Sequence, residues 1–406
     1  MCLNSNMTSL EELFFDRDDP TSQLVFSGVG CSEEVGKHAK SLGTQALVVT
    51  DPGIMSAGHP QMIVASLENA GVKAHLFEGT VENPTDSSVQ KCARKVESLG
   101  IDLIVGVGGG SSLDTAKGAN FILTNGGSMK DYWGVGKATN PLLPMIAIPT
   151  TAGTGSECQS YALISEDTTH QKMACGTPSA LPRITLLDPQ LSLSQPFTVS
   201  AATGMDALAH TLESAVCTKR NRLSHRHATT GFTLLVQNLK TIFEEPNNLT
   251  ARHSVLLGAA HAGAAIERSM LGAAHALANP LTARRGVVHG RAVGLTLPAV
   301  LAYNQQDPAI SAIYADLARI AGLADTRASD QKATHLLMEK VLLLRNLAKL
   351  PTSLAEVGSE HSDLEQLAKD AAEQWTGTFN PRKVGEAEFY QIYQSIDEFA
   401  EGVSAE

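Results

Sequence analysis

The chain has 406 residues, 43% of them hydrophobic and 18% charged, with a formal net charge of −11. That length exceeds one ordinary core and predicts two domains, while the composition is that of a globular protein rather than a disordered one. With no basic run interleaved with aromatics, the acidic balance argues against a nucleic-acid partner.

Residues 1–20 are polar and acidic and lack the basic-then-apolar order of a signal peptide. No apolar run reaches about 18 residues, so no membrane span and a soluble, cytoplasmic protein are expected. Cys2, Cys31, Cys92, Cys158, Cys175 and Cys217 form no Cys-x-x-Cys pair, which excludes a zinc ribbon and fits reduced thiols.

Along the chain, short apolar runs at 46–50, 72–77, 103–107 and 145–149 read as buried strands. Helical patterns at 62–70 and 87–99, and from Ser112 onward, lie between them. This alternation predicts a parallel sheet covered on both faces, a Rossmann-like α/β domain. Beyond about Leu193 helical periodicity takes over: 201–217, 229–243, 250–268, 309–321, 332–344, 364–372 and 388–399. Pro246, Pro280, Pro351 and Pro381 read as stop signals. The expected division is a dinucleotide-binding α/β domain over 1–192 and an all-helical, metal-binding domain over 193–406.

Gly106-Val107-Gly108-Gly109-Gly110-Ser111 follows a strand and opens a helix. Glycines there let backbone amides approach a pyrophosphate beside the positive end of a helix; a tight turn with a serine cap is the plainer alternative. A second small-residue loop, Pro149-Thr150-Thr151-Ala152-Gly153-Thr154-Gly155, also follows a strand and offers hydroxyls for phosphate, ribose or nicotinamide. Two such loops on one sheet point to a dinucleotide crevice. Asp51, at the end of an earlier strand, could accept ribose hydroxyls and repel a 2′-phosphate, favouring NAD over NADP, or it could merely begin an Asp-Pro-Gly turn.

In the helical half, Asp206 and His210 are four apart and share one helix face. Alone, such a pair is ordinary. His275, in an apolar helix, and His289, opening another, complete one carboxylate and three imidazoles, a ligand set for Fe²⁺ or Zn²⁺. His225 and His227 lie among basic residues, and His253 and His261 read as core or supporting groups.

An ordered series now stands out: Asn83-Pro84-Thr85, Gly108-Gly109-Gly110-Ser111 with Asp114 and Lys117, and Pro149 through Glu157. Lys172, Leu187-Asp188-Pro189, Gly204-Met205-Asp206-Ala207 with His210, His275, and His289-Gly290 continue it. By this series the chain resembles the iron-containing (group III) alcohol dehydrogenase family from about Phe26 to Tyr393. The resemblance implies a Rossmann-like N-domain, a helical C-domain and an active site in the cleft between them. It implies that Asp206, His210, His275 and His289 hold iron or zinc. It also implies cofactor contacts from Asp51, Asn83, Gly109, Gly110, Ser111, Thr150, Thr151, Thr154 and Lys172, with Asp114 counted among them. A homodimer or higher homo-oligomer is implied as well.

One departure matters. Many relatives carry a histidine four residues after the third ligand, where this chain has Asn279. An amide can orient a water but cannot serve as the acid. Arg284 and Arg285 follow closely, either gripping an anionic substrate or lying in a solvated loop. The expected activity is hydride transfer between NAD(H) and a small primary alcohol or aldehyde. The alternatives are a dehydrogenase for a carboxylate- or phosphonate-bearing hydroxy compound, a dehydroquinate synthase-like lyase, and a non-catalytic binding protein.

Overall fold

The computed structural model describes residues 23–169 and 171–400. Residues 1–20, with Cys2, and also His170 and the acidic C-terminal end, therefore lie outside the described residues. The chain forms two compact units, 1–151 with 155–195, and 152–154 with 196–406. The main division falls after Gln195, where the sequence reading put it after residue 192.

The first unit carries strands β1 (Leu24–Ser27), β2 (Gln45–Val49), β3 (Lys73–Phe77), β4 (Leu103–Gly108), β5 (Gly134–Val135), β6 (Met145–Pro149), β7 (Tyr161–Ser165), β8 (Lys172–Gly176) and β9 (Ile184–Leu187). Its helices are α1 (Val35–Ala39), α2 (Pro52–Ser56), α3 (His59–Asn69), α4 (Asp86–Val96) and α5 (Gly110–Asn125). Six strands form a sheet in the order β1-β9-β6-β4-β2-β3. Every pairing in it is parallel.

Side-chain alternation explains the double covering. Val48, Val105, Val107, Ile146 and Ile148 meet Val35, Ile63 and Leu67 on one face. Leu47, Val49, Ile104, Met145 and Ala147 meet Cys92, Val96, Leu113 and Ala116 on the other. Strands buried on both faces read as continuous apolar runs, which is why β2, β4 and β6 were visible in the sequence; β3, at the sheet edge, is only partly buried.

From β2 the chain crosses to β3 on one side, whereas from β4 it crosses to β6 on the other. The direction of winding thus reverses between β2 and β4, and in an open α/β sheet such a reversal opens a crevice at the strands' carboxyl ends. A smaller sheet, β5-β8-β7, pairs β7 and β8 antiparallel and lies outside this winding.

The second unit holds α6 (Phe197–Val216), α7 (Arg222–Glu244), α8 (Leu249–Glu267), α9 (Ala273–Arg285), α10 (His289–Asn304), α11 (Pro308–Ile320), α12 (Asp330–Leu347), α13 (Leu364–Ala372) and α14 (Glu386–Ser395). From Gly204 to Val216 every residue of α6 is buried, so it is the unit's central helix. It packs against α7, α8 and α10.

Pro280 corrects a sequence expectation. It lies inside α9, as Pro298 lies inside α10, and ends neither helix. An interior proline forfeits one amide donor, a loss that dense packing can offset; α9 instead ends at Gly286, whose φ of 65° is left-handed. Among the described residues, no helix is long and apolar enough to cross a membrane. Cys31, Cys92, Cys158, Cys175 and Cys217 are free and buried, as the sequence reading of reduced thiols has it.

Candidate active site

Because α6 is enclosed, polar side chains on it must find partners or pay for desolvation. Asp206, His210 and Glu213 follow one another along a single face and are all buried. His275 enters from α9, whose first turn lies beside that face. His289 is the first residue of α10. The close approach of α10 to α6 requires Gly290, since a Cβ there would lie 2.3 Å from the Ala202 carbonyl oxygen.

Three imidazole Nε2 atoms surround one carboxylate oxygen. Asp206 Oδ1 is 3.3 Å from His275, 3.5 Å from His210 and 3.8 Å from His289. Asp206 Oδ1 and His275 Nε2 are buried without a hydrogen-bond partner. Donor atoms held about 2.1 Å from one tetrahedral ion would lie about 3.4 Å apart. Ligand atoms of Asp206, His210 and His275 all lie within 4.8 Å of one another, a spacing that a shared cation can bridge, and His289 adjoins that group through Asp206. The set fits a divalent metal.

The charges agree. Burial pushes the Asp206 carboxyl up, but His210, with His275 and His289, holds it well below the usual carboxylate range. Burial lowers His210 to about 4. On His275, burial opposes charge, yet Glu213 and Asp206 outweigh it and raise the imidazole to about 9. An incoming cation replaces protons on these nitrogens.

Glu213 was not anticipated. Its Oε2 lies 2.5 Å from His275 Nδ1, and its Oε1 accepts the Ala274 backbone N–H at 2.6 Å. The carboxylate thus caps α9 and orients the imidazole, an arrangement common behind metal-binding histidines. The signal available in the sequence was an acid seven residues after Asp206 in an otherwise apolar helix.

In the first unit, Asp51 ends β2 and caps α2, accepting from Ile54 N at 3.1 Å and from Ser112 Oγ at 2.9 Å. Gly108, Gly109, Gly110 and Ser111 turn from β4 into α5 directly beside it. A Cβ at Gly108 would lie 2.5 Å from Ser112 Oγ, and φ is +146°. Asn83 has a positive φ of 51°, and its N–H lies 3.3 Å from Ser111 Oγ. Thr150 is buried with its hydroxyl unsatisfied, and Thr151 borders Gly109. Asp51, Asn83, the glycine turn, Thr150 and Thr151 therefore gather at the β2–β4 crevice.

The structure sets three other expected contacts in different surroundings. Asp114 is buried in α5, accepting from Ser156 Oγ at 2.6 Å and Leu163 N at 3.3 Å, because it lies a helical turn inside the glycine-rich end. Lys172 opens β8 in the small sheet. Thr154 belongs with Ala152 and Gly153 to the second unit.

Asn279 donates to Gln374 Oε1 at 3.0 Å. Arg284 pairs with Asp370, and Arg285 with Asp363 at 2.5 Å. Both guanidinium groups are thus neutralised by carboxylates, which leaves the anion-gripping role without support. His227 and His261 pair through their Nδ1 atoms at 2.9 Å, a buried contact apart from the ligand cluster.

Two family descriptions match consecutive parts of the chain: iron-containing alcohol dehydrogenase over residues 22–189, and the C-terminal part of the same family over 200–396. The chain belongs to the iron-containing alcohol dehydrogenase family. It is 33% identical to alcohol dehydrogenase 4 of Schizosaccharomyces pombe, over 91% of this chain and 86% of that one. It is 30% identical to an NAD-dependent methanol dehydrogenase of Bacillus methanolicus, over 91% and 96%. A solved 1,3-propanediol oxidoreductase superposes with a TM-score of 0.88 at 31% identity, covering 92% of this chain and 97% of that one. The two-part α/β and helical fold read from the sequence is the fold of this family.

Proposed function

We propose that the protein is an NAD-dependent dehydrogenase that interconverts a small primary alcohol and its aldehyde. Asp206, His210, His275 and His289 are the residues that would hold the divalent ion. The observation carrying this reading is the single carboxylate oxygen of Asp206 within 3.8 Å of three imidazole nitrogens, in a chain of this family. Bound there, the ion supplies Lewis acidity toward the substrate oxygen, and its nitrogen and oxygen donors suit iron and zinc alike.

The chain's own residues supply orientation. Glu213 fixes which imidazole nitrogen of His275 is presented. The α5 amino end and the glycine turn are proposed to receive the pyrophosphate, and Asp51 the ribose hydroxyls. A carboxylate at this position disfavours a 2′-phosphate, which supports NAD over NADP. The relatives named above act on small alcohols by their names, and the ion-paired Arg284 and Arg285 lend nothing to an anionic substrate.

The test is NADH formation by protein loaded with Fe²⁺ or Zn²⁺, across a panel of primary alcohols and diols, with NADP in parallel. Turnover that requires the ion and prefers NAD is expected. Metal-loaded protein that neither binds NAD nor oxidises any member of the panel would end this reading.

A further inference from the structure

Lys117 is a fully buried cation on α5, about two turns from the glycine-rich amino end. Its ammonium lies 2.6 Å from the Ser156 carbonyl oxygen, 2.9 Å from Ser156 Oγ, 2.7 Å from the Gln159 carbonyl and 2.9 Å from that of Tyr161. Four acceptors meet three N–H donors, so the group is saturated and its charge is spread over one stretch of backbone. Asp114, one turn earlier on the same helix, accepts the Ser156 hydroxyl at 2.6 Å. The cation and the carboxylate thus hold the same serine. Burying a lysine this way is expensive, and a merely structural connection could be made with neutral groups.

What is held matters. Residues 156–161 are the returning end of the segment that leaves β6 through Thr150 and Thr151. The departing end is fixed by the sheet and by the Thr150 N–H on the Gly108 carbonyl at 3.0 Å. Gly155, between the two ends, has a left-handed φ of 65°. Glu157, buried beside Ser156 and raised by burial to about 7, has one carboxyl oxygen with no hydrogen-bond partner, so it adds no further anchor through that atom.

We propose that Lys117 is a positioning residue for the dinucleotide: through Ser156, Gln159 and Tyr161 it keeps the Thr150–Thr151 segment in register with the α5 amino end, so that both meet the two halves of one NAD molecule. The inference rests on the NAD reading above. It assigns Lys117 no contact with the cofactor.

The experiment titrates NAD and, separately, AMP against metal-loaded wild type, Lys117→Met and Ser156→Ala. AMP can occupy the α5 amino end without spanning to the threonine segment. Dissociation constants for NAD are expected to rise about tenfold in Lys117→Met and about threefold in Ser156→Ala, from loss of charge-assisted hydrogen bonds. AMP binding should change less than about twofold, since the phosphate-facing helix end is untouched. In steady state, the change should fall on KM for NAD more than on kcat.

Ser156→Ala removes only a hydroxyl and decides the matter if Lys117→Met fails to fold. Variants that bind NAD as the wild type does, or that lose AMP and NAD in equal measure, overturn the proposal. Wild-type protein that does not bind NAD at all overturns the functional reading and this inference together, so the two failures are distinguishable.

Discussion

Glu213 Oε2 stands 2.5 Å from His275 Nδ1 while the other oxygen of the same carboxylate takes the Ala274 backbone N–H. One side chain therefore sets both the start of α9 and the tautomer of the imidazole that α9 carries. With Nδ1 donating to Glu213, Nε2 is the nitrogen presented beside Asp206, an electron-pair donor once a cation replaces its proton.

Glu213→Gln tests this. The amide oxygen can still accept from Ala274, so the helix start survives, but the negative charge behind the imidazole is gone. Metal affinity, measured by competition with a chelator, is expected to fall about 10- to 100-fold. Unchanged affinity in a folded variant would show that His275 is oriented by packing alone.

The two domains and most of the sheet were legible because doubly covered strands and amphipathic helices leave plain patterns. β1 and β9 were missed: each is four residues long, too short for a periodic signal. The small sheet was missed because β5 has two residues and the apolar runs of β7, residues 161–164, and β8, residues 173–175, are too short for a periodic signal. Asp206, His210, His275 and His289 could be read as a set, since i,i+4 spacing and histidines in apolar helices are local features. Glu213 could not be told from a surface acid until α6 was seen to be enclosed. The surroundings of Asp114 were not legible, because a motif gives spacing along the chain and not that this carboxylate accepts from Ser156 and Leu163.

The His227–His261 pair predicts acid sensitivity of the helical unit. Burial, reinforced for His227 by His261 and nearby arginines, lowers His227 to about 2 and His261 to about 3. A native pair that stays neutral keeps one Nδ1 as donor and the other as acceptor. Below an unfolded pKa of about 6.5 the unfolded chain binds protons that the native pair refuses. The pair's contribution is thus complete above that pH and declines as pH falls toward the folded values, by about 1.4 kcal/mol per pH unit for each histidine. Chemical denaturation from pH 7 to 5 should show a shallower loss in His227→Gln than in wild type. Parallel slopes would contradict the assignment.

Asn279 bonds to Gln374 rather than to the ligand cluster. Asn279→His should therefore leave metal content unchanged while adding a group that titrates near neutrality, and so alter the pH dependence of kcat/KM. Metal analysis and a pH–rate profile on one preparation check both halves. Loss of metal in this variant would mean that position 279 belongs to the binding set.

Asp51 predicts cofactor choice. Its carboxylate closes the carboxyl end of β2 beside the glycine turn, holding Ser112 Oγ at 2.9 Å and Ile54 N at 3.1 Å. A ribose 2′-hydroxyl can donate to such a group, whereas a 2′-phosphate meets it as a like charge. Asp51→Asn retains a side-chain oxygen for the α2 cap but removes the repulsion. The ratio of kcat/KM for NADP to that for NAD should rise about tenfold, equivalent to about 1.4 kcal/mol of lost discrimination. Glycine at this position would also remove the cap, so a larger change there than in Asp51→Asn would report on the α2 start rather than on charge. If Asp51→Asn leaves the ratio where it was, the carboxylate serves α2 and Ser112 alone, and NAD preference must be sought in another side chain.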